Sequence, residues 1–186
     1  MAKQRKRCRI LILLDETGSM LSVKQATLSG FDEYVQTARI DVLNATLTLV
    51  KFNTARTVTL FRDTPINDVA PLIDYAPANG TNLYDAIATA IREQEQVVKA
   101  TESVLFVIIT DGEENSSKEF NRTQIMTLIE RKQNEGWGFV YIGAVPDAWS
   151  TAQSIGVAAA SASSYDASQP QMAFAAANTA TRNYAR

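Results

Sequence analysis

The chain has 186 residues, 46% of them hydrophobic and 20% charged, with a formal net charge of −2. That is the size and balance of one ordinary globular domain, and it provides no global attraction to nucleic acid or to an anionic membrane. A single cysteine, Cys8, excludes an intrachain disulfide, and the lack of histidine excludes the usual general base, any Ser–His or Cys–His pair and the commonest zinc ligand.

Residues 1–9 are basic (Lys3, Arg5, Lys6, Arg7, Arg9) and read as a solvated tail leading into the first strand. The start resembles a signal peptide only superficially. Its apolar core, Ile10 to Leu14, is followed at once by Asp15 and Glu16, short of the roughly 7–15 apolar residues such a leader needs. No run approaches the roughly 18 apolar residues of a membrane span.

Ile10 to Leu14 is a continuous apolar run, the pattern of a strand buried on both faces. A turn at 15–19 leads to a helix from Met20 to Ala38, with Leu21, Leu28, Phe31, Val35 and Ala38 on one stripe. Thr46 to Phe52 and Thr57 to Phe61 read as two strands joined by Asn53-Thr54-Ala55, a hairpin that makes the second an antiparallel edge strand. A polar stretch with Pro65, Pro71 and Pro77 follows, ending at Asn79-Gly80. Leu83, Ile87, Ile91 and Val98 mark a second helix. Val104 to Ile109 is a second fully buried strand, closed by Thr110-Asp111-Gly112. A helix through Ile125, Leu128 and Ile129 is stopped by Gly136, and Phe139 to Ile142 is another strand. Pro146 to Ser154 reads as a short helix opened by its proline, Ile155 to Ala159 as a weak last strand, and the alanine-rich end from Gln171 to Tyr184 as a helix. The segment 158–169 carries the weakest signal.

Strands alternating with helices imply an α/β fold: a three-layer, doubly wound, mainly parallel sheet with one antiparallel edge strand. The organisation read from this is a tail at 1–9, one domain over 8–186, and a C-terminal helix within 169–186.

Ligands of open α/β sheets bind outside the carboxyl ends of the strands. Two strands here end in an aspartate at that edge, Asp15 and Asp111. If the strands are neighbours the carboxylates converge, and like charges at close range call for a proton or a cation between them. Thr17 and Ser19 add hydroxyls on a tight loop, with Gly18 permitting the turn, and Thr81 adds a third hydroxyl before the second helix. Two carboxylates and three hydroxyls make an oxygen-only cage suited to magnesium, manganese or calcium.

These residues carry a resemblance. Asp15-x-Thr17-x-Ser19, Thr81 within NGTNLYDAI, and Asp111 within ITDGEEN resemble the metal-ion-dependent adhesion site of von Willebrand factor A domains. The family pattern is Asp-x-Ser-x-Ser, and Thr17 replaces the middle serine, keeping its oxygen and adding a methyl. The resemblance covers about residues 8–160, and the continuation FVYIGAVPDAW with the alanine-rich end is similar to stand-alone members from bacteria and their phages. It implies that Thr17 and Ser19 bind Mg2+ (or Mn2+ or Ca2+) directly, Thr81 directly or through water, and Asp15 and Asp111 mainly through water. A first shell poor in charge leaves the ion electrophilic, ready for a glutamate or aspartate from a protein partner. It also implies a non-enzymatic protein whose partner stays open. Some members of the family are receptors or adhesins outside the cell, and others work inside it with AAA+ ATPases. The lack of an export signal favours an AAA+ ATPase or a virion component as partner and a cytoplasmic or virion-associated location.

Blander readings stand beside these. Asp15 and Asp111 serve as polar strand ends or caps, Thr17, Ser19 and Thr81 as helix caps, and Asn79 and Gly80 as turn formers. Glu113, Glu114 and Asn115 read as a solvated loop, Cys8 as a packing residue, and Trp137 and Trp149 as core packing. A magnesium-dependent phosphohydrolase of the haloacid dehalogenase type also places an aspartate after its first strand, but it needs a second one where Thr17 stands. The phosphate loop and the three-glycine dinucleotide fingerprint are absent.

Overall fold

Strand β1 (Cys8–Asp15) is buried at every position, as the apolar run Ile10–Leu14 requires, and it takes in Arg9, which is paired with Glu102 and Asp63 and does not lie in a solvated tail. In a computed structural model, which describes residues 7–144 and 148–185, β1 lies at the centre of a six-stranded sheet. The sheet runs in the order β3-β2-β1-β4-β5-β6, with β2 (Ala45–Asn53), β3 (Arg56–Pro65), β4 (Ser103–Thr110), β5 (Gly138–Gly143) and β6 (Ala162–Ser164). All neighbours are parallel except β2 and β3, which form the antiparallel hairpin and put β3 at the edge. The basic segment read at 1–9 lies outside the described residues up to residue 6.

Because side chains alternate across a strand, β1 feeds two separate cores. Ile10, Ile12 and Leu14 face α1 (Lys24–Asp41) and α5 (Pro170–Tyr184), where Phe31, Tyr34 and Phe174 meet. Leu11 and Leu13 face α2 (Leu83–Glu95), α3 (Arg122–Asn134) and α4 (Ala148–Ser154), through Ile87, Ile91, Ile125 and Ile129. Gly30 brings α1 and α5 together: a methyl group there would lie 2.7 Å from the Phe174 ring.

Four local expectations are corrected. The stretch after the first loop is not α-helical from Met20; a 3-10 turn spans Gly18–Val23 before α1 begins. Its tighter winding rotates the stripe, so Met20 is buried while Leu21 points to solvent. The segment with three prolines is not merely a polar connection, because Ile66, Val69, Leu72 and Tyr75 are buried along it. The weak strand read at 155–159 is not there: Ile155 and Val157 are buried plugs where α4 ends. The amides of Gly156 and Val157 turn back to Gln153 and Ala152, and Gly156 takes φ +87. The sixth strand lies instead at Ala162–Ser164, pairing with Tyr141–Gly143. Gly136, at φ +93, ends α3 as its sequence implies, while Pro146 lies outside the described residues.

The chain moves from β1 to β2 and β3 on one side, then returns to lay β4 on the other side of β1. The crevice outside the carboxyl ends of β1 and β4 is therefore the topological switch point of the sheet, the place where open α/β folds bind ligands.

Candidate metal centre

Asp15 closes β1 and is fully buried. Its Oδ1 accepts the Thr17 amide at 2.7 Å and its Oδ2 accepts the Thr110 hydroxyl at 2.6 Å. Its backbone carbonyl accepts the Tyr75 hydroxyl at 2.6 Å. Burial pushes this carboxyl up to about 6; the bonds from Thr110 and Thr17 oppose that, and the charge of Asp111 adds to it. Asp111, just past β4, is also raised by burial, against the bond it accepts from Ser19.

The hydroxyls are threaded between these carboxylates. Thr17 Oγ1 lies 3.1 Å from Ser19 Oγ, and Ser19 Oγ donates to Asp111 Oδ1 at 2.8 Å. Asp15, Thr17, Ser19 and Asp111 thus form one connected chain across the switch point. Thr81 arrives from the loop before α2. Its amide donates to Asn115 Oδ1 at 3.1 Å, and its carbonyl accepts the Asn115 amide at 3.0 Å. Its hydroxyl lies against Gly112, 3.3 Å from where a methyl group would stand on that residue. The structure brings all five residues to one sheet edge.

The capping alternative has little left to it. Thr17 occupies the N-cap position of the 3-10 turn without a side-chain capping bond, and neither α1 nor α2 has a side-chain cap at its N-cap. The α2 amides are served from elsewhere: Tyr84 donates to Glu114 and Asp85 to the Ser117 hydroxyl. Asn79, at φ 66, is a turn former, and its carbonyl accepts the Gly18 amide at 2.9 Å.

Several residues that position the site were not singled out in the sequence. Glu16 and Lys51 are both fully buried and bonded at 2.9 Å. Glu16 also accepts from Arg56 and from the Ala76 amide, while its carbonyl accepts from Asn53 and the Ala78 amide. Lys51 reaches on to the carbonyl and carboxylate of Asp74. This buried pair fastens the first loop to β2, β3 and the segment that delivers Thr81. The signal for it was Lys51 itself, the one charged residue of a strand that is buried throughout.

The loop after Asp111 is likewise not simply solvated. Glu114 accepts from the amides of Tyr84, Ser116 and Ser117 and from the Ser117 hydroxyl. Asp85 accepts from the amides of Lys118, Glu119 and Phe120. Glu113 remains exposed. Trp137 is buried as read, but Trp149 is exposed rather than core.

Among the described residues no group of three or more His, Cys, Asp or Glu comes together as a metal cluster. Any ion here would rest on hydroxyls backed by two carboxylates. That donor set is all oxygen, and the charge of Asp111 adds to the raising of the Asp15 carboxyl; both features suit a hard divalent cation.

No family model matches the sequence, and no curated protein matches it either. Solved structures do. The pilus adhesin SpaC from Lactobacillus rhamnosus GG superposes with a TM-score of 0.71 at 10% identity, over 97% of this chain and 30% of that one. Proximal thread matrix protein 1 from the mussel byssus, solved with a zinc-occupied MIDAS motif, gives 0.66 at 14% identity, over 95% and 46%. The manganese-loaded TRAP protein of Plasmodium vivax gives 0.60 at 13% identity, over 91% and 72%. The chain has the von Willebrand factor A fold. It spans about half or less of the adhesin and mussel structures it resembles.

Proposed function

We propose that this chain is a divalent-cation-dependent protein-binding module, not an enzyme, that captures a partner's carboxylate at a MIDAS. The observation that carries the reading is the connected chain Asp15–Thr17–Ser19–Asp111 at the switch point. Thr17 and Ser19 would hold the ion directly and Thr81 directly or through water, with Asp15 and Asp111 orienting the hydroxyls and bonding its waters. Magnesium is the proposed resident, and manganese or calcium fits the same oxygens. The solved relatives with zinc and manganese support a divalent ion without choosing among them. A bound cation supplies the positive charge that an incoming glutamate or aspartate needs. Without it, Asp15 and Asp111 repel such a side chain. Thr17 occupies the place where a phosphohydrolase would need its second acid, which favours binding over hydrolysis.

The proposed partner is a protein offering that carboxylate, with an AAA+ ATPase or a virion component as the specific candidates in a cytoplasmic or virion setting. Among the described residues no helix is long and apolar enough to cross a membrane. A pull-down from source extract, run with magnesium and with chelator, tests the reading. Partners retained with magnesium and released by chelator support it, and retention that ignores the chelator contradicts it.

A further inference from the structure

The chain contains a single Asn-Gly pair, Asn79-Gly80, in the loop that delivers Thr81. An asparagine followed by glycine is open to attack by its own backbone, because glycine has no Cβ to shield its amide nitrogen. The Asn79 side chain is exposed, and among the described residues its amide group makes no hydrogen bond. The electrophile is therefore free.

The nucleophile is held by one bond. The Gly80 N–H donates to the Thr54 hydroxyl at 3.2 Å, at the exposed tip of the β2–β3 hairpin. Water can replace a neutral bond at the surface. The left-handed residue of this turn is Asn79, at φ 66, and not Gly80. What glycine supplies at 80 is room: a methyl group there would lie 3.1 Å from Ser116 Oγ and 3.2 Å from Asn115 Oδ1.

The pair is also the junction of the loops that build the cation site. The Asn79 carbonyl accepts the Gly18 amide at 2.9 Å, and the Gly80 carbonyl accepts the Thr54 amide at 3.1 Å. The next residue, Thr81, exchanges bonds with Asn115 at 3.1 and 3.0 Å.

We propose that Asn79-Gly80 is a site of spontaneous deamidation, whose pace is set by the Thr54 hydroxyl that holds the Gly80 amide proton. Solvent hydroxide takes that proton, and the Gly80 nitrogen bonds to Asn79 Cγ. The Cγ–Nδ2 bond breaks, ammonia leaves with a proton returned from water, and a cyclic succinimide remains. Water then opens the ring on one side of the nitrogen or the other. Opening at Cγ gives aspartate. Opening at the former main-chain carbonyl gives isoaspartate, whose main chain runs through Cγ and is longer by the Cβ carbon. In that product the carbonyl that accepted the Gly18 amide has become a free carboxylate, so the tie to the first loop and the path to Thr81 both change. The effect on the ion rests on the metal-binding reading above; the modification does not.

The test stores the full chain at mildly alkaline pH and follows it by peptide mass spectrometry and by enzymatic methylation of isoaspartate. Conversion is expected at Asn79 ahead of every other asparagine. Thr54→Val keeps the side-chain shape and removes the acceptor. It is expected to speed conversion at Asn79 by roughly 3- to 10-fold, with the other asparagines unaffected. Gly80→Ala is expected to suppress it, because the added methyl shields the nitrogen and meets only the ends of the Asn115 and Ser116 side chains and the Thr54 methyl. An Asn79 that stays intact in the wild type, or a Thr54→Val variant that converts no faster, overturns the proposal. The isoaspartate form, separated by ion exchange and titrated with magnesium, is expected to bind at least about 10-fold more weakly than fresh protein. Equal affinity overturns the coupling of this junction to the cation site. Fresh protein that binds neither magnesium nor manganese overturns the metal reading and leaves the modification standing.

Discussion

The two loops that meet at the switch point are held in opposite ways. The Asp15–Ser19 loop is fastened by a fully buried ion pair, Glu16–Lys51, that reaches on to Arg56 and Asp74. The 111–120 loop is held by carboxylates, Glu114 and Asp85, that accept backbone amides around the start of α2. A buried ion pair is unforgiving, because removing one partner strands a charge away from water. Amide-to-carboxylate bonds near the surface fail more gently, because water can replace them. One side of the site is a rigid platform, then, and the other is an adjustable rim.

The largest effect should come from breaking the platform. Lys51→Met is expected to cost about 3–5 kcal/mol of stability in denaturant unfolding, because it leaves the Glu16 carboxylate buried with the half-exposed Arg56 and the Ala76 amide in place of its buried cation. Adding Glu16→Gln to that variant should cost less than the sum of the two single changes, and additive losses would remove the pair from the account.

Next in size, Asp15→Ala should weaken magnesium binding by about 10- to 100-fold while the circular dichroism spectrum keeps its α/β form. Burial already disfavours the Asp15 charge in the metal-free protein, so the loss should appear in binding far more than in folding. Unchanged affinity would separate Asp15 from the site.

On the rim, Glu114→Gln should cost only about 1 kcal/mol. Its signature is local: faster hydrogen exchange at the Tyr84, Ser116 and Ser117 amides, with β1 and β4 unaffected. A global loss of protection would mean that this loop is as structural as the platform.

The smallest effect concerns pH at the outer end of the platform. The bond from Lys51 holds the Asp74 carboxyl below its ordinary value, with its slight burial opposing and Arg56 assisting. A depressed carboxyl stabilises the fold above its unfolded pKa, and that contribution disappears as pH falls through the folded value. Asp74 is more than half exposed, so solvent screens the pair. Asp74→Asn should lower the thermal midpoint slightly at neutral pH and not at all near about pH 2. An equal difference at both values would exclude the charge.

The same contrast explains what could be read from the sequence. The unbroken runs Ile10–Leu14 and Val104–Ile109, each closed by an aspartate, carried both the buried centre of the sheet and the site, because full burial imposes one composition on a strand. The hairpin at Asn53 and the stop at Gly136 were legible for the same local reason. The platform was not, because Glu16 and Lys51 find each other through the pairing of β1 with β2, and neither residue signals the other along the chain. Strand β6 was misplaced because Ala162–Ser164 carries neither β-branched residues nor alternation, while Ile155 and Val157 looked like a strand and serve as plugs. Leu21 was misread because a 3-10 turn has a different period from the helix it leads into.

The measurement that bears most directly on the whole account is a calorimetric titration of magnesium into metal-free protein, repeated with Ser19→Ala and Asp111→Ala. The account predicts one saturable site in the wild type, and heat reduced or abolished in both variants, because Ser19 and Asp111 are successive links in the same hydrogen-bonded chain. Equal affinity in all three proteins would contradict it.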